Sequence, residues 1–142
     1  MVVDILESCM VTPGEAATPK HGVCLSNLDL LVVSTLTPTV YVYRPSPGPA
    51  FFSPDVLKAA LSKVLVPFYP LGGRICRDGA GRPEIHCTGD GLLFVTARAD
   101  STLLDLGGFV PSDEQWRMLV PSADGGDDRA CILAMYHVTF FN

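Results

Sequence analysis

The sequence has no CxxC pair. Its five cysteines, Cys9, Cys24, Cys76, Cys87 and Cys131, are widely spaced and odd in number, which favours reduced cytosolic thiols over a disulfide framework. No metal-ligand spacing is present, and no GxxxxGK phosphate loop, so neither a metal nor a resident cofactor is expected. No run approaches the roughly 18 consecutive apolar residues that a membrane span needs. Asp4 and Glu7 interrupt the apolar N-terminus, which is wrong for a secretory signal. Cationic charge is also scarce. Ten Lys and Arg stand against fifteen Asp and Glu, a net charge of −5, with the basic residues scattered. A nucleic-acid partner is therefore disfavoured. These absences together point to a cytoplasmic protein with neither a membrane nor a nucleic-acid partner.

What is present is apolar. With 142 residues the length suits one small domain, and 48% hydrophobic content describes a core-rich globular chain. No internal repeat or low-complexity tract interrupts it. The organising stretch is Leu57 to Ile75, LKAALSKVLVPFYPLGGRI. Apolar residues recur at Val56, Leu57, Ala60, Leu61, Val64 and Leu65, with Asp55, Lys58 and Ser62 opposite, which predicts an amphipathic helix burying all six. Ser53 stands at the N-cap, Pro54 at the first helical position and Asp55 at the positive end of the dipole. Pro67 removes a donor and restricts Val66, so the helix stops there. PFYPLGG then forms a stiff elbow turning on Gly72-Gly73.

Taken in order, Val2 to Val11 reads as a strand whose alternation is broken at Ile5 and Leu6. Thr12 to Cys24 is rich in Pro, Gly, Thr and Ala and reads as a loop. Ser26 to Asp29 caps a short helical turn leading into Leu30 to Val33, and Val40 to Arg44 is a short strand. Pro45 to Pro49 is a stiff loop. Past the elbow, Arg74 to Arg77 and Glu84 to Cys87 form a hairpin around Asp78 to Gly81. Gly89-Asp90-Gly91 makes the next turn, Leu92 to Ala97 a strand, and Ser101 to Leu104 a helical turn. Pro111 to Glu114 opens a short helix through Met118, and Ser122 to Arg129 is an acidic loop. Cys131 to Phe141 is apolar, β-branched and aromatic, which favours a strand.

Several pieces of this chain, in this order, form a signature: Ser8-Cys9-Met10-Val11, SNLDLLV from Ser26, TPTVYVYRP from Thr37, LKAALSKVLVPFYPLGGR from Leu57, PEIHCTGDGLLFVTARAD from Pro83 and GGFVPSDE from Gly107. In wording and order they resemble the N-terminal region of plant BAHD acyl-CoA-dependent acyltransferases, in particular the hydroxycinnamoyltransferase branch. The resemblance runs from about Asp4 to Asn142. It implies an α/β fold, the N-terminal part of a chloramphenicol-acetyltransferase-like domain with a mixed β-sheet and packed helices. The chemistry it implies is transfer of an acyl group, here hydroxycinnamoyl, from coenzyme A to an alcohol such as shikimate or quinate. Acyl-CoA then enters as co-substrate, not as a bound cofactor. In that family the histidine of an HxxxD motif takes the acceptor's proton as general base, and a DFGWG motif completes the second half.

Neither motif is expected to act within these residues. His86-Cys87-Thr88-Gly89-Asp90 has the spelling HxxxD. Its neighbours nevertheless align it with the family's strand-turn-strand upstream of the catalytic motif, so His86 reads as a strand residue and Asp90 as a turn residue. His137 has Phe141 where the aspartate belongs and shares a strand face with Met135 and Thr139, so it reads as a packed residue. His21 reads as solvated. No catalytic residue is therefore assigned.

For substrate, the resemblance places Leu36 to Tyr41 along the acyl pocket, with Thr39 and Tyr41 as the residues holding the aromatic acyl group. Relatives often carry His at Leu36 and Ser at Thr39. The plain alternative is that Thr39 and Tyr41 are good strand residues. Trp116 and Arg117 invite a ligand reading as well. A Trp on a short amphipathic helix is nevertheless expected as a core anchor.

The domain expectation is a partial transferase domain over residues 1–142, ending before the family HxxxD. Such a chain is expected to be inactive alone. The alternative is a non-catalytic fragment, inert or associated with full-length relatives, because the strand Cys131 to Phe141 would offer an unpaired apolar edge and poor solubility.

Overall fold

The computed structural model describes residues 1–14, 18–31, 36–48, 51–106, 112–121 and 132–142. Two three-stranded sheets carry the architecture. In the first, β1 (Val3–Val11) runs antiparallel to β5 (Leu92–Ala99), and β6 (Met135–Phe140) runs parallel to β5 on its other side. In the second, β2 (Gly22–Cys24) and β3 (Arg74–Arg77) flank β4 (Pro83–His86), both antiparallel to it. Helix α1 (Pro54–Val64) packs near β1, and helix α2 (Asp113–Leu119) precedes β6 in the chain. This is a mixed α/β arrangement, as the sequence implies.

β5 is central because its composition allows nothing else. Leu92, Leu93, Phe94, Val95, Thr96 and Ala97 are all buried, a continuous run covered on both faces. One face builds a cluster of Val11, Leu65, Leu92 and Phe94, against which Leu57, Leu61 and Val138 pack. The other meets Val95, Leu93 and Ile132 with Met135. Each large side chain fully buried here is worth roughly 1.5–3 kcal/mol of transfer free energy. The broken alternation at Ile5 and Leu6 has a structural cause. The register of β1 on β5 shifts between Ile5 and Glu7, a bulge that leaves Ile5 and Leu6 both exposed.

Helix α1 follows its pattern with two corrections. Only Leu57, Leu61 and Leu65, spaced four apart, reach the core, whereas Val56 and Val64 stay 53% and 49% exposed and Ala60 is exposed too. The apolar stripe is wider than the surface it covers. Ser53 makes no side-chain cap bond; its carbonyl simply accepts the first helical bond, from the Leu57 amide at 3.0 Å. The α-helix closes at Val64, before Pro67, and a 3-10 turn over Tyr69–Gly72 carries the elbow.

The elbow docks through glycines. Gly91 has φ +84°, and a Cβ there would run into the carbonyl of Val11. That close approach is what brings β1 and the start of β5 together. The Gly91 amide donates to Gly72 O at 3.0 Å, and Arg74 Nη1 donates to Gly73 O and Gly91 O, both at 2.8 Å. One guanidinium thus satisfies carbonyls that the turn leaves without strand partners.

Other expectations change. Val40 to Arg44 forms no strand, since residues 36–48 run without regular structure. β-Propensity alone does not pair a segment that prolines bracket. Gly22–Cys24, read as loop, is a strand, because β4 offers it an edge that no local pattern reveals. The helical turn after β5 is Leu103–Leu106, two residues later than expected, set by Asp105 Oδ2 accepting from the Thr102 amide at 2.8 Å and from its hydroxyl at 2.9 Å. At Ser26 the expected cap is present. The Ser26 amide donates to Asp29 Oδ2 at 2.8 Å, the Asp29 amide donates back to Ser26 Oγ at 3.2 Å, and a 3-10 turn spans Asp29–Leu31. The Ser122 to Arg129 loop and Cys131 lie outside the described residues. β6 is shorter than the apolar run suggests, and among the described residues only β5 pairs with it.

Candidate substrate site

The segment carrying Thr39 and Tyr41 is held from its far end. Tyr43 leans against Phe52 with the rings tilted by 46° and 4.7 Å between centroids, and Phe51 meets Phe52 edge-on at 4.8 Å. Phe52 takes a positive φ of 50°, which a non-glycine residue adopts at a cost. These rings tie residues 36–48 to the start of α1. Thr39 is exposed, and Tyr41 is 74% exposed.

Facing this segment is α2. Ser112 caps it with a full capping box: the Gln115 amide donates to Ser112 Oγ at 3.3 Å, and the Ser112 amide donates to Gln115 Oε1 at 2.8 Å. Leu119 is buried and anchors the helix. Beside it, Asp113, Trp116 and Arg117, spaced i, i+3, i+4, with Val120 at the C-cap, join Pro38 in lining an open cavity of about 420 Å³. Trp116 is thus 39% exposed and lines a cavity, which corrects the expectation of a core anchor. Pro38, Asp113 and Val120 were missed by sequence reasoning. The i, i+3, i+4, i+7 spacing with Trp116 and Arg117 was the signal available for Asp113 and Val120.

The histidines are placed as the sequence implies. His86 closes β4 opposite Gly22 and Arg74, exposed, while the Asp90 amide turns back to Thr88 Oγ1 at 3.3 Å. No hydrogen bond joins His86 to Asp90 among the described residues, so the HxxxD spelling builds no acid-base pair. His137 sits on β6 opposite Val95 with both ring nitrogens shut away from solvent and no hydrogen-bond partner among the described residues. Burial pushes its pKa below the ordinary histidine value. His21 is exposed beside the Tyr69 ring, 5.9 Å between centroids.

Two thiols are equally quiet. Burial, reinforced by the neighbouring Glu7 carboxylate, pushes the Cys9 thiol up, and burial does the same at Cys87. Among the described residues, no group of three His, Cys, Asp or Glu is arranged to hold a metal ion. No described helix is long and apolar enough to cross a membrane.

Comparison with known proteins agrees with this geometry. A family model described as the Transferase family matches residues 1–142. The chain is 66% identical to putrescine hydroxycinnamoyltransferase 1 of Oryza sativa subsp. japonica, across 99% of this chain and 32% of that protein. It is 51% identical to shikimate O-hydroxycinnamoyltransferase of Nicotiana tabacum, across 87% of this chain and 28% of that one. Its backbone matches the crystal structure of vinorine synthase with a TM-score of 0.73 and 26% identity, over 99% of this chain and 35% of that one. The chain spans about a third of the length of the curated relatives it matches.

Proposed function

Since this chain belongs to the Transferase family, the BAHD acyltransferases, whose model matches its whole length, we propose that it forms the acyl-recognising N-terminal part of a hydroxycinnamoyl-CoA transferase. The observation that carries this reading is the 66% identity, over 99% of this chain and 32% of the relative, to a hydroxycinnamoyltransferase. Thr39 and Tyr41 hold the aromatic acyl group, both exposed on a segment tethered by Tyr43 and Phe52. In the transfer, the acceptor's nitrogen or oxygen attacks the thioester carbonyl, the acceptor's proton goes to a base, and coenzyme A leaves as the thiol. The acceptor is an amine of the putrescine class in preference to shikimate or quinate, since the relative named for putrescine is the more similar of the two.

The base comes from beyond residues 1–142. His21 and His86 are exposed without an acid partner among the described residues, and His137 is buried and held neutral. These residues alone therefore bind without turning over, as the partial domain preceding the catalytic HxxxD. Work in the cytoplasm fits reduced thiols and the lack of a spanning helix among the described residues.

Equilibrium dialysis tests this reading. p-Coumaroyl-CoA binds more tightly than acetyl-CoA, Thr39→Val and Tyr41→Ala each weaken it several-fold, and no coumaroyl-putrescine forms. Equal affinity for both thioesters overturns the acyl reading, and turnover by the chain alone overturns the assignment of the base. A second reading, a non-catalytic fragment that associates with full-length relatives, is favoured by the position of β6 at the edge of its sheet among the described residues. It predicts co-elution with a full-length relative in size-exclusion chromatography, and independent elution removes it.

A further inference from the structure

The cavity beside Pro38 is lined by side chains whose chemistry the assignment of Thr39 and Tyr41 leaves unused. Three observations meet there. The cavity, about 420 Å³, adjoins the segment of Thr39, because Pro38 forms part of its wall. That volume falls in the usual range of small-molecule sites. Its opposite wall is one face of α2, where the indole of Trp116 is part-exposed instead of packed inward. Finally, neither the Arg117 guanidinium nor the Asp113 carboxylate has a hydrogen bond or ion pair among the described residues.

We propose that this cavity is a second subsite for the phenolic acyl group, with Trp116 as its stacking wall and Arg117 as the donor to the acyl oxygen. The proposal rests on the hydroxycinnamoyl reading and deepens it. A hydroxycinnamoyl group is a flat ring with a phenol at one end and a conjugated carbonyl at the other. The indole, with Pro38 and Val120, supplies apolar surface for the ring. Arg117 and Asp113 stand one helical turn apart, about 6 Å of rise, and so offer a donor and an acceptor at separate points along one wall. A guanidinium suits a carbonyl or carboxylate oxygen, and a carboxylate accepts from a phenol hydroxyl. An aliphatic diamine fits less well, because it has no ring for the indole and meets Arg117 as well as Asp113. The phosphates of bare coenzyme A would meet one cation against one carboxylate.

Trp116 is the chain's one tryptophan, so its emission reads this cavity alone. The full chain is titrated with p-coumaric acid, with putrescine and coenzyme A as separate probes, and p-coumaroyl-CoA affinity is measured by dialysis for wild type, Trp116→Ala and Arg117→Met. Saturable quenching by p-coumaric acid is expected, with neither of the other probes producing it. Each substitution should weaken p-coumaroyl-CoA by about fivefold to tenfold, and Trp116→Phe, which keeps a ring, should retain most of the affinity. Unchanged emission, with both variants binding like wild type while Thr39→Val still weakens binding, overturns the subsite and leaves the hydroxycinnamoyl reading standing. Quenching by putrescine instead assigns the cavity to the acceptor and overturns it too. Should wild type bind no p-coumaroyl-CoA, both readings fall together. Circular dichroism of each variant separates lost binding from lost fold.

Discussion

The two sheets have the same number of strands and opposite investments in burial. Along β5 all but Arg98 are buried, and the core clusters lie on both faces of its sheet. Along β4 no residue is fully buried, and its neighbours Cys24 and Ile75 are exposed. One sheet is built on side-chain packing, the other on hairpin geometry and backbone bonds. The elbow joins them, since Gly72, Arg74 and Gly91 connect the first residue of β3 to the turn before β5. The candidate site belongs to neither sheet. Residues 36–48 and the cavity face of α2 are supported by aromatic contacts and a capping box, which leaves their side chains exposed for a ligand.

This contrast predicts unequal costs for the same substitution. Gly91→Ala combines a positive φ with a collision against the Val11 backbone, where neither party can move without parting β1 from β5. A loss of about 3 kcal/mol or more is expected. Gly81→Ala has a similar φ of +82° in the hairpin of the second sheet but nothing within 4 Å, so only the conformational strain remains, about 1 kcal/mol. Urea denaturation midpoints measure both. Equal losses would mean that the Gly91 approach is not what joins β1 to β5.

Next in size is Leu65→Ala. Leu65 is 1% exposed between β5 and β1, and its truncation costs about 2–5 kcal/mol. Val64→Ala, one residue earlier and 49% exposed, costs less than about 1 kcal/mol. Thermal melts of the pair test whether the apolar stripe of α1 is covered only along Leu57, Leu61 and Leu65. A comparable loss at Val64 would show that another surface packs on the exposed half.

What the sequence disclosed follows the same division. β5, β6 and α1 were legible because burial writes itself into continuous or periodic apolar residues, and the β3–β4 hairpin because Asp78 to Gly81 is a turn in its own chemistry. β2 was not legible, since three residues gain their pairing from β4 and from no pattern of their own. Val40 to Arg44 misled because β-branched and aromatic content describes a surface that suits pairing, not the presence of a partner. At the candidate site, Thr39 and Tyr41 came only through family resemblance. Trp116 was noticed but read inward, because one aromatic on a short helix does not say which side the core lies on. Leu119, buried about one turn later, does the anchoring instead.

The smallest of these effects is a pH dependence set by His137. His137 lies on β6 with its imidazole nitrogens shut from water, although part of the residue still reaches solvent, and burial lowers its pKa. The unfolded chain, with its histidine near 6.5, then binds a proton at acid pH that the folded chain resists. Stability is therefore fully present above the unfolded value and declines as pH falls from there toward the depressed folded value. His137→Leu removes the titrating group and should flatten that part of the profile, with little change at pH 8. Melting midpoints of wild type and variant between pH 5 and 8 measure it. A profile that His137→Leu does not flatten would mean that the imidazole finds a partner, and the first sheet would then lack the closed interior that sets it apart from the second.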